Sequence, residues 1–488
     1  MTDPVPLPWA PATIRALQLA SPSLFTAADV RTVEHSWRQR HPQISLMERA
    51  GAAAAALARR LASDSHAPIL ILAGPGNNGG DALVAARLLA AQGTHVLLAS
   101  RASADQLPPD AAQAWLAWRE SGGAIHTEIP AAQRFSLVID GLFGVGLQRD
   151  LAEVDAQWVA RANEAACPRL ALDVPSGLDA DRGCVRGSAV RADHTLTFLG
   201  LKPGLFTADG PDCVGTVHLD TLGIDADTLP VVTGTVLTRL QTRHRLPPRA
   251  KNSHKGLFGR VGVIGGAPGM AGAALIAGRA ALQHGAGSVI VATFDERIVV
   301  DYHEPRLMFD APETLAASRP DVLAAGPGMG QAVRAHTVLE TVLSAPCPLV
   351  LDADALNLLA NDASLAAQAA RRTAPTVLTP HPGEAARLLG TTVPAIQVDR
   401  VERARSLAMR FRAHVALKGV GTVIAHPDGS YAISTSGGPW LAQAGSGDRL
   451  TGMVAALMGQ GMGARDALEA AVWLHGRARP APISRPAS

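Results

Sequence analysis

At 488 residues the chain is too long for one ordinary core, and length alone argues for two large domains. Lys plus Arg at 44 against Asp plus Glu at 42 leave a formal charge of +2, which excludes a field steering the protein to nucleic acid or an anionic membrane; any anion site must be local. An apolar fraction of 47% is ample for packed cores, while only 4% aromatic residues leaves packing to Ala, Val and Leu and excludes stacking platforms for single-stranded nucleic acid.

The start, Met1-Thr2-Asp3-Pro4-Val5-Pro6-Leu7-Pro8, carries an acid and three prolines where a signal peptide has a basic region and an apolar core. No apolar run approaches the ~18 residues of a membrane span, so a cytoplasmic protein is expected. Ser23 or Thr26 can cap a helix over Ala27 to Arg40, and Ser45-Leu46-Met47-Glu48 reads as the start of an alanine-rich helix reaching Leu61. Short apolar strands then alternate with helices: Ile69 to Ala73, Val84 to Gln92, His95 to Ala99, Asp110 to Glu120, Leu137 to Asp140, Ala156 to Ala166, Leu170 to Asp173 and Thr195 to Leu199. Alternation of this kind predicts βαβ units, hence a Rossmann-like three-layer αβα sandwich around a parallel sheet. The basic stretch Arg243 to Asn252, with its Pro-Pro pair, reads as a linker within 239–255. A second, larger α/β domain follows, with strands over Val261 to Ile264, Ser288 to Thr293, Val322 to Ala325, Leu349 to Asp352, Val377 to Thr379, Val415 to Lys418 and Thr422 to Ala425. Cys167, Cys184, Cys213 and Cys347 show no C-x-x-C spacing, so neither zinc nor a redox pair is indicated; buried thiols in a reducing compartment are expected.

Two glycine-rich loops follow apolar strands or open apolar helices: Gly74-Pro75-Gly76-Asn77-Asn78-Gly79-Gly80-Asp81 and Ala444-Gly445-Ser446-Gly447-Asp448. Each reads as a backbone cradle for an anion with a carboxylate at its edge, since unpaired N–H groups and a helix dipole favour negative charge. In the first half, Asp140-Gly141-Leu142-Phe143-Gly144-Val145-Gly146-Leu147, Asp173-Val174-Pro175-Ser176-Gly177-Leu178 and Lys202-Pro203-Gly204 join the first loop. Oxygens of Asn78, Asp140 and Ser176 suit a hard cation, with no softer His or Cys ligand beside them. In the second half, Gly265-Gly266-Ala267-Pro268-Gly269-Met270-Ala271-Gly272-Ala273, Gly326-Pro327-Gly328-Met329-Gly330, Asp352-Ala353-Asp354-Ala355-Leu356-Asn357 and Thr379-Pro380-His381-Pro382-Gly383-Glu384 crowd one rim of the sheet. Lys418-Gly419-Val420-Gly421-Thr422 sets a cation and a hydroxyl beside glycines, suited to a nucleotide phosphate. Asp448 is placed to accept the proton of an attacking hydroxyl while the glycine amides hold the phosphoryl group. Read one by one, the Asn-Gly pairs make turns, Gly445 to Gly447 a helix entry, His381 a turn satisfied by its neighbours, and Asp352 and Asp354 helix caps.

Residues 25 to 225 resemble the NAD(P)H-hydrate epimerase domain, through Met47-Glu48-Arg49-Ala50-Gly51 and the loops at Gly74, Asp140 and Asp173. The resemblance implies potassium at Asn78, Asp140 and Ser176, and contacts to the hydrated cofactor from Asn77, Asn78, Gly79, Gly80 and Asp81, from Gly144-Val145-Gly146-Leu147-Gln148-Arg149-Asp150, and from Asp173 as acid-base group. Residues 251 to about 477 resemble the ribokinase-like, ADP-dependent NAD(P)H-hydrate dehydratase, through Asn252-Ser253-His254-Lys255-Gly256, Gly265-Gly266, Gly326-Pro327-Gly328, Asp352 to Asn357, His381 to Glu384 and Lys418-Gly419. That implies that Ala273 or Ala274, Gly328 or Gly330, His381 and catalytic Asp448 face the hydrated cofactor, and that Lys418 to Thr422 and Gly447 face the adenine nucleotide, with magnesium on its phosphates. Val145 departs from the family's Gly-Thr-Gly, Arg449 stands where a small apolar residue follows the aspartate, and the tail from Leu474 turns basic and proline-rich.

The implied fold is an epimerase domain over 20–238 and a ribokinase-like dehydratase domain over 256–480. The implied ligands are hydrated NADH and NADPH with ADP or ATP, in a homo-oligomer without nucleic acid or membrane. A small-molecule ATP-dependent kinase with an attached Rossmann-like domain, or a non-catalytic dinucleotide-binding protein, are the competing readings.

Overall fold

A computed structural model describes residues 22–62, 66–130, 133–225, 229–239, 242 and 250–478. The chain divides into two compact units between Gly234 and Thr235. The strand Gly234–Leu237 is part of the second unit's sheet, so the chain joins that sheet before the basic stretch. Arg243 to Arg249 of the expected linker, the proline-rich start and the tail from Arg479 lie outside the described residues.

In the first unit Thr26 caps the helix Ala27–Arg40. Its Oγ1 accepts the Asp29 N–H at 3.2 Å, and the Asp29 carboxylate accepts the Thr26 N–H at 2.8 Å. Ser45 caps Leu46–Leu61 in turn by accepting the Glu48 N–H. The sheet runs Val96–Ser100, Ile69–Ala73, Leu137–Gly141, Arg169–Leu172, His194–Phe198, Thr216–Asp220, all parallel. Its central strands are apolar without alternation because helices cover both faces: Ile69, Leu70, Ile71 and Leu72 are all buried. Thr216–Asp220 was not expected; it is polar and only partly buried, as suits a sheet edge.

Strand order reverses between Ile69–Ala73 and Leu137–Gly141, which opens a crevice at their carboxyl ends. The two outgoing loops close against each other. The Gly74 N–H donates to the Gly141 carbonyl at 3.1 Å, and a Cβ on Gly74 would lie 1.7 Å from the Leu142 carbonyl oxygen. Contrary to the expected onset at Val84, the helix starts at Asn77 and runs to Ala91, so Asn77 to Asp81 form its first turns rather than a loop.

The second unit's sheet runs Gly234–Leu237, Tyr431–Ser434, Val423–Ala425, His414–Leu417, Thr376–Leu378, Leu349–Leu351, Val322–Ala325, Arg260–Gly265, Ser288–Thr293, Met308–Asp310. From His414–Leu417 to Met308–Asp310 it is parallel, and Val423–Ala425 pairs antiparallel with both His414–Leu417 and Tyr431–Ser434. Its order reverses between Arg260–Gly265 and Val322–Ala325, where Gly266 and Ala267 donate to the Pro327 and Gly328 carbonyls at 2.9 and 2.6 Å. The helices Ala271–Gln283 and Ser446–Gly459 cross in close contact at Gly452, where a Cβ would lie 2.0 Å from the Ala277 carbonyl oxygen.

Of the four cysteines only Cys213 is buried; Cys167, Cys184 and Cys347 are partly exposed, contrary to expectation, and all four are free. No helix among the described residues is long and apolar enough to cross a membrane.

Gly79→Ala is expected to destabilise the protein by about 1–3 kcal/mol in denaturant titration, because the added Cβ would lie 2.0 Å from the Gly74 carbonyl oxygen. Gly76→Ala, where a Cβ meets nothing within 4 Å, is expected to leave the midpoint in place.

Candidate functional site

The crevice of the first unit is a cleft of about 590 Å³, walled by the helix Ala27–Arg40, the N-terminus of Asn77–Ala91, and the segment Leu142 to Arg149. No side chain caps Asn77–Ala91 at Gly76, so its positive end opens on the cleft. Asn77, Asn78 and Asp81 line it together with Gly144, Val145, Gly146, Leu147, Gln148 and Arg149. Gly79 and Gly80 do not: each turns inward, toward the Gly74 carbonyl and the Met47 side chain, and serves close packing. Asp150 is exposed beyond the cleft's rim.

Asp173 stands at the end of Arg169–Leu172 in a left-handed backbone, φ 62°, which is strained for a residue with a side chain. Its Oδ1 takes an ion pair from Lys202, an entirely buried ammonium that also donates to Thr197 Oγ1 at 2.9 Å and the Phe198 carbonyl at 2.7 Å. All three Lys202 hydrogens are thereby used. Asp173 Oδ2 carries no hydrogen bond among the described residues and faces Gly144, where a Cβ would lie 3.4 Å from it. Two further carboxyls line the cleft, Asp81 and Glu34, both pushed up from their ordinary range, first by burial and then by the charge of Asp173. Glu34 was missed in the sequence, although it interrupts the apolar stripe Val30, Val33, Trp37 at helical spacing.

Asp140 and Ser176 lie behind this wall, both wholly buried. Ser176 Oγ donates to Asp140 Oδ1 at 2.5 Å, the Ser176 N–H donates to Oδ2 at 2.8 Å, and the Leu142 N–H to Oδ1 at 3.2 Å. Burial still lifts the Asp140 carboxyl to about 6. Asn78 is buried with both amide atoms unpartnered, an expensive arrangement that points to a missing polar partner.

In the second unit the helix Ser446–Gly459 starts from Gly445, φ 81°, without a side-chain cap; the Ser446 N–H donates to the Gln443 carbonyl, and the Gly447 and Asp448 N–H groups of the first turn are left open among the described residues. Asp448 sits in that turn, without a hydrogen bond among the described residues, its carboxyl raised to about 6 by burial and by Asp352, with Lys418 opposing. Asp352 does not cap the following helix with its side chain. It is buried and binds Lys418 Nζ at 2.7 Å and Thr451 Oγ1 at 2.7 Å.

Lys418 has a partner that the sequence did not reveal. A buried Asp352 demands a counter-charge, and the ammonium lies beneath Gly447, where a Cβ would be 3.0 Å from Nζ. Gly419, Val420, Gly421 and Thr422 form the adjoining turn, with Thr422 Oγ1 donating to the Gly419 carbonyl. Under that turn Arg400, 1% exposed and unremarked in the sequence, donates to the Leu417 and Lys418 carbonyls at 3.1 and 3.2 Å.

His381 caps the helix Pro382–Leu389: Nδ1 accepts the Gly383 and Glu384 N–H groups, and Glu384 accepts the His381 N–H at 2.7 Å. The ring is thus satisfied by its neighbours, yet half its surface remains exposed at the rim. Burial lifts Glu384 to about 7. Gly330 donates to Asp354 at 2.9 Å. Ala273 stands beside Gly328, whereas Ala274 is fully buried in the core and cannot face a ligand. Arg449 is exposed, and its charge holds the His475 imidazole low, second to burial, at about 4.

Residues 43–204 match the family described as YjeF-related protein N-terminus, and residues 261–483 the family described as NAD(P)H-hydrate dehydratase. The chain is 41% identical over 441 residues to a bifunctional NAD(P)H-hydrate repair enzyme of Escherichia coli (strain K12), spanning 89% of this chain and 84% of that one. It belongs to the bifunctional NAD(P)H-hydrate repair enzyme family. Another member of that family, from Moorella thermoacetica, is 36% identical over 487 residues, 93% of this chain and 91% of its own length. Among solved structures, half of the chain is similar to an ADP/ATP-dependent NAD(P)H-hydrate dehydratase from Bacillus subtilis co-crystallized with ATP/Mg2+, which is 35% identical and covered to 87%, with a TM-score of 0.44. These relatives do not favour a plain kinase or a non-catalytic dinucleotide binder.

Removing one member of the Lys418–Asp352 pair strands the other in the interior. Asp352→Asn is expected to cost about 3 kcal/mol in chemical denaturation, well above an exposed-pair change such as Glu296→Gln.

Proposed function

We propose that the protein repairs nicotinamide cofactors hydrated at the reduced ring. The first unit interconverts the R and S hydrates of NADH and NADPH, and the second, which begins at Thr235 rather than after 238, dehydrates the S form at the expense of ADP, yielding AMP and phosphate. The observation that carries this reading is the contrast between the two crevices. Asp173 is paired with a buried lysine and keeps one oxygen open to a cleft, whereas Asp448 is unbonded at an uncapped helix N-terminus. The first arrangement suits proton exchange on a bound carbinol, the second phosphoryl transfer.

In the second unit a ring hydroxyl is a poor leaving group. Asp448 accepts its proton as the oxygen attacks the terminal phosphoryl group of ADP, and AMP departs. The N–H groups of the first turn and the Lys418 charge beneath Gly447 stabilise the phosphoryl oxygens in transfer. The C–O bond then breaks with loss of phosphate and of a proton from the neighbouring ring carbon, restoring the double bond. The same chemistry with ATP would release ADP. Magnesium, when bound, would neutralise nucleotide phosphates.

The unpartnered Asn78 amide, the buried Asp140 carboxylate and the Ser176 hydroxyl fit a hard monovalent cation, and we assign them to potassium. Bound there, potassium would supply the positive charge that favours ionised Asp140. Potassium chloride is then expected to raise the melting temperature above that in tetramethylammonium chloride, and Asp140→Ala to abolish the difference; equal melting in both salts would remove the assignment.

Purified protein given mixed hydrate epimers and ADP is expected to restore NADH absorbance from both. Recovery stopping near half would remove the epimerase reading, and none from pure S hydrate the dehydratase reading. Because Asp448 acts as a base, the dehydration rate should fall as pH drops through about 6. Asp448→Asn should abolish turnover while retaining nucleotide binding.

A further inference from the structure

We propose that Glu34 is a second catalytic residue of the first unit, the proton donor that works opposite Asp173. The inference rests on the epimerase reading of the cleft. Three carboxyls, Glu34, Asp81 and Asp173, line that one cleft with the side chains of Arg31, Arg38 and Arg149, and the buried ammonium of Lys202 is bonded to Asp173 alone of the three. Lys202 is committed to Asp173. Glu34 and Asp81 have neither hydrogen bond nor ion pair among the described residues. Like charges crowded in a partly desolvated space hold their protons to higher pH than isolated carboxyls do. Burial and the Asp173 charge raise Glu34, while Arg38, Lys202 and Arg31 oppose; Asp81 is raised by Asp173 and by Glu34 in turn.

Placement separates the two retained acids. Asp81 belongs to the helix that starts beside Asp173's own sheet edge, whereas Glu34 projects from Ala27–Arg40, a separate wall of the cleft. Inverting a carbon needs proton traffic from two directions. The reduced ring is an enamine, so water adds at a carbon bonded to the ring nitrogen and leaves a carbinolamine. Asp173 Oδ2 takes the hydroxyl proton, the carbon–nitrogen bond breaks to give an aldehyde, and Glu34 gives its proton to the departing nitrogen. After the carbonyl rotates, the nitrogen attacks its other face. The nitrogen proton returns to Glu34 and Asp173 reprotonates the oxygen. Nothing is oxidised, and both carboxyls end as they began.

Glu34→Gln and Glu34→Asp test this on the full-length chain, with epimerisation of pure R hydrate followed chromatographically without ADP and the melting temperature measured in parallel. Glu34→Gln is expected to lower the epimerisation kcat by about 100-fold or more at an unchanged melting temperature. Since the donor must be protonated, wild-type kcat should decline as pH rises through the raised Glu34 pKa, and that limb should vanish in Glu34→Gln. Glu34→Asp should restore part of the rate with the limb displaced. Epimerisation by Glu34→Gln within about threefold of wild type, or a loss confined to KM with the limb intact, overturns the proposal. Wild-type protein that does not epimerise at all would instead overturn the reading of the cleft on which it rests.

Discussion

A lysine ammonium sunk below the carboxyl ends of parallel strands is the interaction on which each half of this protein depends. Taking an ammonium and a carboxylate out of water costs several kcal/mol per ion, and the interior returns that only when every remaining proton and lone pair is bonded. Lys202 meets the condition through Asp173, Thr197 and Phe198. Around Lys418 the pair is completed from Asp352's side, by Thr451. In both units the satisfied pair leaves a nearby carboxylate exposed to the crevice, so the charge balance of the buried layer dictates which acids above it are ionised and which keep a proton.

Much of this was legible in the sequence because the determining signals are local. Thr26 with Asp29 and Ser45 with Glu48 announce two helix starts, and apolar runs such as Ile69 to Leu72 announce doubly covered strands. The motif residues Asn78, Asp140, Ser176 and Asp173 of the first unit also gather as their order along strand ends implies, since a parallel sheet brings all its outgoing loops to one rim. What escaped was set by tertiary context. Asn77 to Asp81 read as a flexible loop because Gly-Gly is a poor helix former, yet the neighbouring Gly74 carbonyl and Met47 demand residues without side chains there. The pairing of Lys418 with Asp352, sixty-six residues earlier, has no signal in the sequence. Glu34 was visible only as an acid on an apolar stripe.

Arg449 gains a physical setting as well. Placed in a helix's first turn it opposes the dipole, and being exposed it is hydrated, so the penalty stays small. Its charge is felt instead at His475 and His284, both held toward the neutral form with burial as the larger cause. Neutral His475 keeps Nε2 within 3.2 Å of Ser446 Oγ, the residue that opens the same helix. The cation thus stabilises the uncharged state of the side chain that contacts the first residue of that helix.

The position of Lys418 beneath the Gly447 backbone has a consequence for how that crevice responds to its surroundings. A surface lysine attracting a phosphate does so through water and is weakened by every increment of dissolved salt. An ammonium held largely under the polypeptide, 2.7 Å from its carboxylate partner and with its side chain 21% exposed, is less open to mobile ions. The positive charge it lends the crevice therefore weakens less with ionic strength than that of the exposed residues of the rim.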